Sequence, residues 1–184
     1  MVYAEISSLE SLKSSNTQEQ KRFYDRFSPM MYTVAYRICG NRTDAEDILQ
    51  DCFLKAFKSI DQFQGKGSLE GWLRKITVHT SINFVKARVR FSDIEGNTEA
   101  SLLHYIKPDQ KRIEFKDNNY YLSLLSKTTR VIFSLYVYEG YSLKEISHMF
   151  NIKESACRCR YMRAKNKLTK IINDDLKRDD LKLA

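Results

Sequence analysis

Basic side chains are concentrated in residues 155–172, near the end of the printed sequence. No acidic residue interrupts this run, whose cations are Arg158, Arg160, Arg163, Lys165, Lys167 and Lys170. Apolar residues recur among them at positions i, i+4, i+7, i+11 and i+14, namely Cys157, Tyr161, Ala164, Leu168 and Ile171. This spacing predicts a helix that packs on a core with one side and offers guanidinium and ammonium groups with the rest. Those groups can bind phosphates or the edges of bases.

The preceding segment, YSLKEISHMFNIKES, predicts a short helix, a tight turn and the start of a second helix. Ser142 and Glu145 have the spacing of a capping box, and Asn151 opens the turn. His148 lies outside the apolar set of this helix, so we expect a surface residue and not a metal ligand. Together the two segments predict a helix-turn-helix with a basic reading helix.

The helical wheel of the reading helix separates two kinds of predicted DNA contact. Base-facing positions lie in the N-terminal turns, away from the apolar stripe, and are Arg158, Cys159, Met162 and Arg163. Ser155, opposite the stripe, is a further predicted DNA contact. Flanking Arg160, Lys165 and Lys167 are predicted to bind phosphates, which sets affinity more than sequence choice.

The most glycine-dense stretch, DQFQGKGSLEGW, lies in the first half of the chain. It contains no GxxxxGK[ST] pattern, so it is not a phosphate-binding P-loop. A helical segment follows with Arg74, Lys75, Lys86 and Arg88 on it and no acid until Asp93. A flexible aromatic loop beside a basic helix suits single-stranded or distorted nucleic acid. For Trp72 inside this stretch, a role as a core anchor is the alternative.

An acidic helix precedes that loop. Thr43 and Glu46 have capping-box spacing, and the helix is predicted to run to about Ile60. Asp47, Gln50 and Asp51 should face outward and form a candidate protein-docking surface. A well-capped, solvated face is the alternative for this helix taken alone. In the helical pattern before it, Pro29 predicts a break or the first turn of a new helix, and Gly40 predicts a C-terminal cap.

Composition narrows the class of protein. The 184 residues carry a net charge of +8 and are 42% hydrophobic, which favours a folded chain with a polyanionic partner. Four cysteines form neither a CxxC pair nor a zinc pattern, and no nucleophile–base motif is present. We therefore expect no enzyme, no metal, no cofactor and no small-molecule substrate. With no signal peptide or membrane span visible, and so no direct membrane insertion, a cytoplasmic protein with reduced thiols is expected.

Scarcity of glycine and proline, six and two residues, favours helices throughout. The predicted fold is all-α, with two small helical domains joined by a flexible linker. The expected boundaries are 1–91 and 117–176 for the domains, 92–116 for the linker and 177–184 for a charged tail. The C-terminal domain would be a helix-turn-helix, similar to a winged helix without the wing.

Two motif sets in this order resemble a known family. DAEDILQDCFLKAF with FQGKGSLEGWLRKITVHTSINFVKAR resembles region 2 of bacterial sigma-70 family sigma factors, and YVYEGYSLKEISHMFNIKESACRCRYMRAKNKL resembles region 4. The likeness covers roughly residues 19–90 and 118–172 and is greatest to the extracytoplasmic-function (ECF) group.

The resemblance implies partners: core RNA polymerase, promoter DNA and, in many family members, an anti-sigma factor. Asp47, Gln50 and Asp51 would dock on the clamp coiled coil of the largest polymerase subunit. The reading helix would bind the −35 element. The implied −10 contacts are Phe63, Gly65, Lys66, Ser68, Trp72, Arg74, Lys75, His79, Asn83, Lys86 and Arg88.

Some residues depart from the family pattern. Ala156 stands where the reading helix usually has Thr, His79 where the −10 helix often has Asn, and Asn83 where it often has Asp. These departures leave the promoter sequence open.

Three alternatives compete. The first is a helix-turn-helix regulator that acts without joining polymerase, and the second is a basic RNA-binding protein. The third concerns regulation: oxidation of Cys157 and Cys159 could weaken DNA binding.

Overall fold

The structure is a computed structural model that describes residue 12 and residues 16–88 and 118–183, with side chains up to 178. These residues form α-helices, one 3-10 turn at Ile60–Gln62 and no strands, so the predicted all-α fold is confirmed. We number the helices α1 Thr17–Cys39, α2 Arg42–Ser59, α3 Leu69–Arg88, α4 Asn118–Ser123, α5 Lys127–Val137, α6 Leu143–Phe150 and α7 Glu154–Leu183. No helix in the described ranges is long and apolar enough to span a membrane.

The chain divides into two compact units, Met1–Phe84 and Val85–Ala184. The two-domain organisation is therefore confirmed. The division falls inside α3, which continues to Arg88, whereas the sequence places the end of the first domain at residue 91. The predicted linker lies outside the described residues.

The first unit is built around aromatic packing between α1 and α2. Phe23 contacts both Phe27 and Phe53, with ring centroids 4.9 and 5.9 Å apart. The same core takes in residues of α3 and of the 3-10 turn, its buried members being Leu12, Phe23, Phe27, Met31, Leu49, Cys52, Phe53, Ala56, Ile60 and Leu73. This core holds α2 and α3 together.

Helix α1 is continuous through Pro29, so the predicted break or new first turn is wrong. Proline removes one backbone hydrogen bond, but Pro29 and the Asp25 carbonyl four residues earlier lie on the exposed side, where water can replace it. The hydroxyl of Thr33 also donates to the Pro29 carbonyl at 2.9 Å. Gly40 ends the helix at φ 81°, as predicted.

Asn41, and not Thr43, caps α2. The Asn41 Oδ1 accepts from the backbone N–H of Asp44 at 2.9 Å, and its Nδ2 donates to the Asp44 carboxylate at 2.8 Å. Glu46, predicted to complete the capping box, instead pairs with Arg42 at 2.7 Å. Asparagine is at least as good a cap as threonine, and the helix begins two positions earlier than the box implied.

The second unit contains the helix-turn-helix. Ser142 and Glu145 form the predicted capping box at the start of α6. Asn151 ends that helix with φ 51°, a left-handed conformation that asparagine tolerates. Only Asn151, Ile152 and Lys153 separate α6 from α7, which fixes the tight turn that a reading helix needs.

Candidate nucleic-acid interface

The reading helix α7 is anchored by its predicted apolar stripe. Cys157, Ala164 and Leu168 are buried, and Tyr161 and Ile171 are half-buried. The Tyr161 ring stacks on Phe133 of α5 with centroids 6.0 Å apart. The helical spacing thus predicted the inner side of α7 correctly.

The outer side of the first turns of α7 is solvent-exposed and carries seven of the eight predicted −35 residues: Ser155, Arg158, Cys159, Met162, Arg163, Lys165 and Lys167. Met162 is an exposed apolar residue, with 45% of its surface accessible. A methionine flanked by cations can pack on a thymine methyl group while the cations bind phosphates or guanine.

Arg160 is the exception. It is only 6% exposed, and its Nη1 is buried without a hydrogen-bond partner. Its position three residues after Cys157 and four before Ala164 places it on the inner face of α7. The predicted phosphate contact of Arg160 is therefore wrong, because the guanidinium belongs to the packing of the second unit.

Cys157 and Cys159 face different environments, although they are two residues apart. Cys157 is buried and Cys159 is exposed. Burial also raises the pKa of the Cys157 thiol. On a helix, residues two apart project about 200° from each other, so the two sulfur atoms cannot pair without unwinding the helix.

The first turn of α7 also carries an acid that the sequence reading overlooked. Glu154 lies just before the basic run, and its Oε1 accepts from Arg158 Nη2 at 3.2 Å. The sequence did contain a signal for this pair, because Glu154 and Arg158 are opposite charges four residues apart on a predicted helix.

The glycine-rich loop presents a lysine at its tip. Gly65 and Gly67 adopt φ 71° and 89°, in the left-handed region that glycine occupies without strain. Lys66 lies between them and is exposed. At the end of the loop, the Ser68 hydroxyl accepts from the backbone N–H of Gly71 at 3.0 Å and caps α3.

Phe63 lies beneath the loop and is only 9% exposed. Its ring packs against Trp72 with centroids 5.6 Å apart. Trp72 is half-buried and packs on the core of the first unit, which supports the alternative of a core anchor. The predicted −10 contact of Phe63 is wrong, because its ring supports the loop from inside.

Helix α3 presents a polar stripe. Lys75, His79, Asn83 and Lys86 are exposed at i, i+4, i+8 and i+11, and so lie along one side of the helix. Arg88 is exposed near its end, and Arg74 is half-buried. The structure therefore brings the predicted cations of α3 together on one surface with His79 and Asn83, the two residues of this helix that depart from the family pattern.

The opposite side of α3 joins α2 through small polar groups. Cys52 Sγ lies 2.8 Å from Thr77 Oγ1, which in turn donates to the Leu73 carbonyl at 3.0 Å. Burial raises the pKa of the Cys52 thiol to about 11, although the hydrogen bond to Thr77 opposes the rise. Small side chains therefore form this contact between α2 and α3.

The predicted docking residues Asp47, Gln50 and Asp51 are all exposed on α2. Leu54 continues the same face and is 57% exposed. Leu54 lies three, four and seven residues after Asp51, Gln50 and Asp47, so its apolar side chain is beside the two carboxylates. We call these four residues the docking face. Sequence reasoning missed Leu54. The available signal was that this apolar residue falls outside the core spacing of Ile48, Cys52 and Ala56.

Both halves of the chain match models of one protein family. Residues 23–91 match the family description "Sigma-70 region 2", and residues 120–168 match "Sigma-70, region 4". The chain is a sigma factor of the sigma-70 family. A match in the N-terminal half disfavours the alternative of a regulator that never joins polymerase, since that half would otherwise serve sensing or dimerisation.

Individual relatives indicate which group of the family the chain belongs to. The ECF RNA polymerase sigma factor SigE of Mycolicibacterium smegmatis is 29% identical over 75% of this chain and 55% of its own length. The ECF RNA polymerase sigma factor SigW of Bacillus subtilis is 27% identical over 82% and 87%. Within its family, the chain belongs to the ECF group.

A solved structure is also similar, that of the sigma factor RpoE from Bartonella quintana in complex with the anti-sigma factor NepR. It is 24% identical, covers 83% of this chain and 96% of that chain, and has a TM-score of 0.48.

Proposed function

We propose that this chain binds core RNA polymerase and directs it to one class of promoters, with the docking face and two DNA-binding surfaces carrying separate steps. The observation that supports this most is the exposure, on α2, of an acidic and apolar face in the same chain as two exposed cationic surfaces. A polymerase subunit needs a face for protein docking in addition to its DNA-binding surfaces, and this face has the composition for it.

The docking face provides the polymerase contact. Asp47 and Asp51 supply charge that steers a basic partner surface, and Leu54 supplies apolar area at the same place. An exposed leucine bordered by carboxylates has the composition of an interface core with a polar rim. The family resemblance gives the clamp coiled coil as its partner.

The glycine-rich loop and the polar stripe of α3 act on the −10 element. Lys66 at the loop tip can neutralise a phosphate of the displaced strand. Removing a base from the stack costs a few kcal/mol, which contacts from the loop and from Lys75, His79 and Asn83 must offset. Phe63 and Trp72 hold the base of the loop in place while these contacts form.

The exposed side of α7 reads the −35 element in the major groove. An arginine forked onto a guanine edge contributes about 1–3 kcal/mol of discrimination, and Arg158 and Arg163 are placed for this. Lys165 lies further along the helix and binds backbone phosphate. The second unit would also meet the flap of the second-largest polymerase subunit, as the resemblance implies.

This role is non-catalytic, since the polymerase performs the chemistry, and it belongs in the cytoplasm with the polymerase. An anti-sigma factor stays a proposed partner. Recovering a protein with the tagged chain, and finding that the purified protein suppresses transcription directed by this chain, would support it. Failure of every recovered protein to do so would remove it.

Binding to purified core polymerase tests the docking face. Asp51→Lys and Leu54→Arg should each weaken binding of the full chain at least tenfold, because both place a cation where a basic partner docks. Leu176→Arg is the matched control, since Leu176 is a leucine of similar exposure, 58%, on the last helix. Equal affinity of Leu54→Arg and the control would contradict the proposed docking face.

A further inference from the structure

Glu154 is an acid at the start of the DNA-reading helix. It lies in the first turn of α7, immediately before the run of cations, and accepts a hydrogen bond from Arg158 at 3.2 Å. Both side chains are open to solvent, with 68% of Arg158 and 44% of Glu154 exposed. The pair is therefore available to DNA and plays no part in the packed core.

The position of this pair on the helix restricts what it can face. Residues four apart project within about 40° of each other, so Glu154 and Arg158 occupy one flank of α7, next to Met162. A carboxylate placed against the DNA backbone would be repelled by phosphate at close range. Base edges in the major groove are different, because cytosine and adenine present amino groups that a carboxylate can accept from.

An arginine held by a carboxylate also has fewer orientations available. The guanidinium recognises guanine through two parallel N–H groups, and one N–H of Arg158 is already committed to Glu154. Holding the fork in one orientation favours a guanine at one position over a phosphate, which a free arginine binds in many orientations.

We propose that Glu154 is a specificity-determining residue of the reading helix. It positions Arg158 for a base edge. At the adjacent base pair, its carboxylate favours a cytosine or an adenine, whose amino group can donate to it, over a base that lacks such a group. This inference rests on the proposed function, since it requires that α7 read the −35 element. It assigns sequence choice to an acid in a helix whose other charges near the DNA are all positive.

A competing explanation is that Glu154 only complements the helix dipole. Acids in a first turn stabilise helices, and Glu19 in the first turn of α1 forms a comparable pair at 2.7 Å with Arg22, three residues on. Glu19→Gln is therefore a control, because it removes a first-turn acid and its arginine pair from a helix that has no proposed DNA contact.

The test uses the full chain with core polymerase on a library of promoters randomised in the upstream element. Transcripts are sequenced to give the base preference at every position for the original chain, Glu154→Gln, Arg158→Lys, the double variant and Glu19→Gln. Glu154→Gln should change preference by about fivefold or more at one or two adjacent base pairs. At the position read by Arg158, the double variant should differ little from Arg158→Lys alone, because Glu154 acts there through the guanidinium fork.

Glu19→Gln should leave every preference unchanged. A Glu154→Gln variant that raises or lowers transcription equally for all library members would overturn the inference, and so would strictly additive effects of the double variant at the position read by Arg158. Circular dichroism and core binding of each variant separate these results from misfolding. Absence of promoter-dependent transcripts with the original chain would be a different failure, that of the proposed function itself.

Discussion

The rings of Phe63 and Trp72 pack with their centroids 5.6 Å apart, and this contact joins the base of the glycine-rich loop to the first turn of α3. The loop is thereby fixed at its base, while Lys66 and Ser68 remain exposed at the tip and far end. Packed rings under an exposed tip let the loop offer a lysine to DNA without disturbing the core.

Phe63→Ala should lower the free energy of unfolding of the first unit by about 3 kcal/mol, the usual cost of removing a buried ring. Urea unfolding of the full chain measures this. Lys66→Ala, three residues on, should change stability by less than about 0.5 kcal/mol because its side chain is exposed. A Phe63→Ala variant of unchanged stability that nevertheless fails to open promoters would show that the ring contacts DNA after all.

Gly67→Ala should strain the loop, because Gly67 adopts φ 89°. Nothing lies within 4 Å of an added Cβ, so the cost of about 1–2 kcal/mol comes from the backbone alone. We expect reduced promoter opening, measured by permanganate reactivity of unpaired thymines. Gly67→Asn should retain more opening than Gly67→Ala, since asparagine tolerates positive φ; the reverse order would exclude backbone conformation as the cause.

The thiols should differ in reactivity. In the folded chain only Cys159 is exposed, while Cys39, Cys52 and Cys157 are buried. Burial also raises the pKa of Cys52 to about 11, so its reactive thiolate is scarce at neutral pH. Iodoacetamide should label Cys159 alone within the first minutes, as read by mass spectrometry.

All four thiols should react in urea, which serves as the control for the labelling. Cys159→Ser should abolish the rapid labelling of the folded chain. A disulfide between Cys157 and Cys159 in the folded, oxidised chain would contradict the structure, whose helix keeps the two sulfurs apart.

Arg160 and Lys165 should respond differently to the same substitution. Lys165→Met removes an exposed cation, and the slope of log affinity against log salt for promoter binding by the holoenzyme should become shallower by about 1. Arg160→Met should leave that slope unchanged, because Arg160 is buried within the second unit. A change of equal size in both variants would place Arg160 on the DNA.

The periodicity of apolar residues in the sequence predicted those features that depend only on the spacing of residues along one helix. The inner stripe of α7, the capping box at Ser142 and the exposure of Asp47 and Asp51 all depend on positions along a single helix, which sequence specifies directly. The all-α fold followed from the same patterns and from the scarcity of glycine and proline.

The wrong predictions concern a residue assigned to the wrong side of a helix, a residue buried by contact between elements, and a helix cap for which two residues compete. Arg160 was expected at a flank of α7, but its spacing from Cys157 and Ala164 puts it on the inner face, where the core of the second unit buries it. Phe63 follows a helix and precedes glycines, so only the placement of Trp72 on α3 shows that it is buried. Asn41 and Thr43 are both suitable caps, and only the structure shows that Asn41 is used.

Transcription by purified core polymerase tests the central claim most directly. With the chain added, run-off transcription should begin at specific promoters and nowhere else, and Leu54→Arg should abolish it while Leu176→Arg supports it. Promoters selected this way should lose activity when either the −10 or the −35 element is scrambled. No promoter-dependent transcript in the presence of the folded chain, together with no binding to core polymerase, would contradict the account.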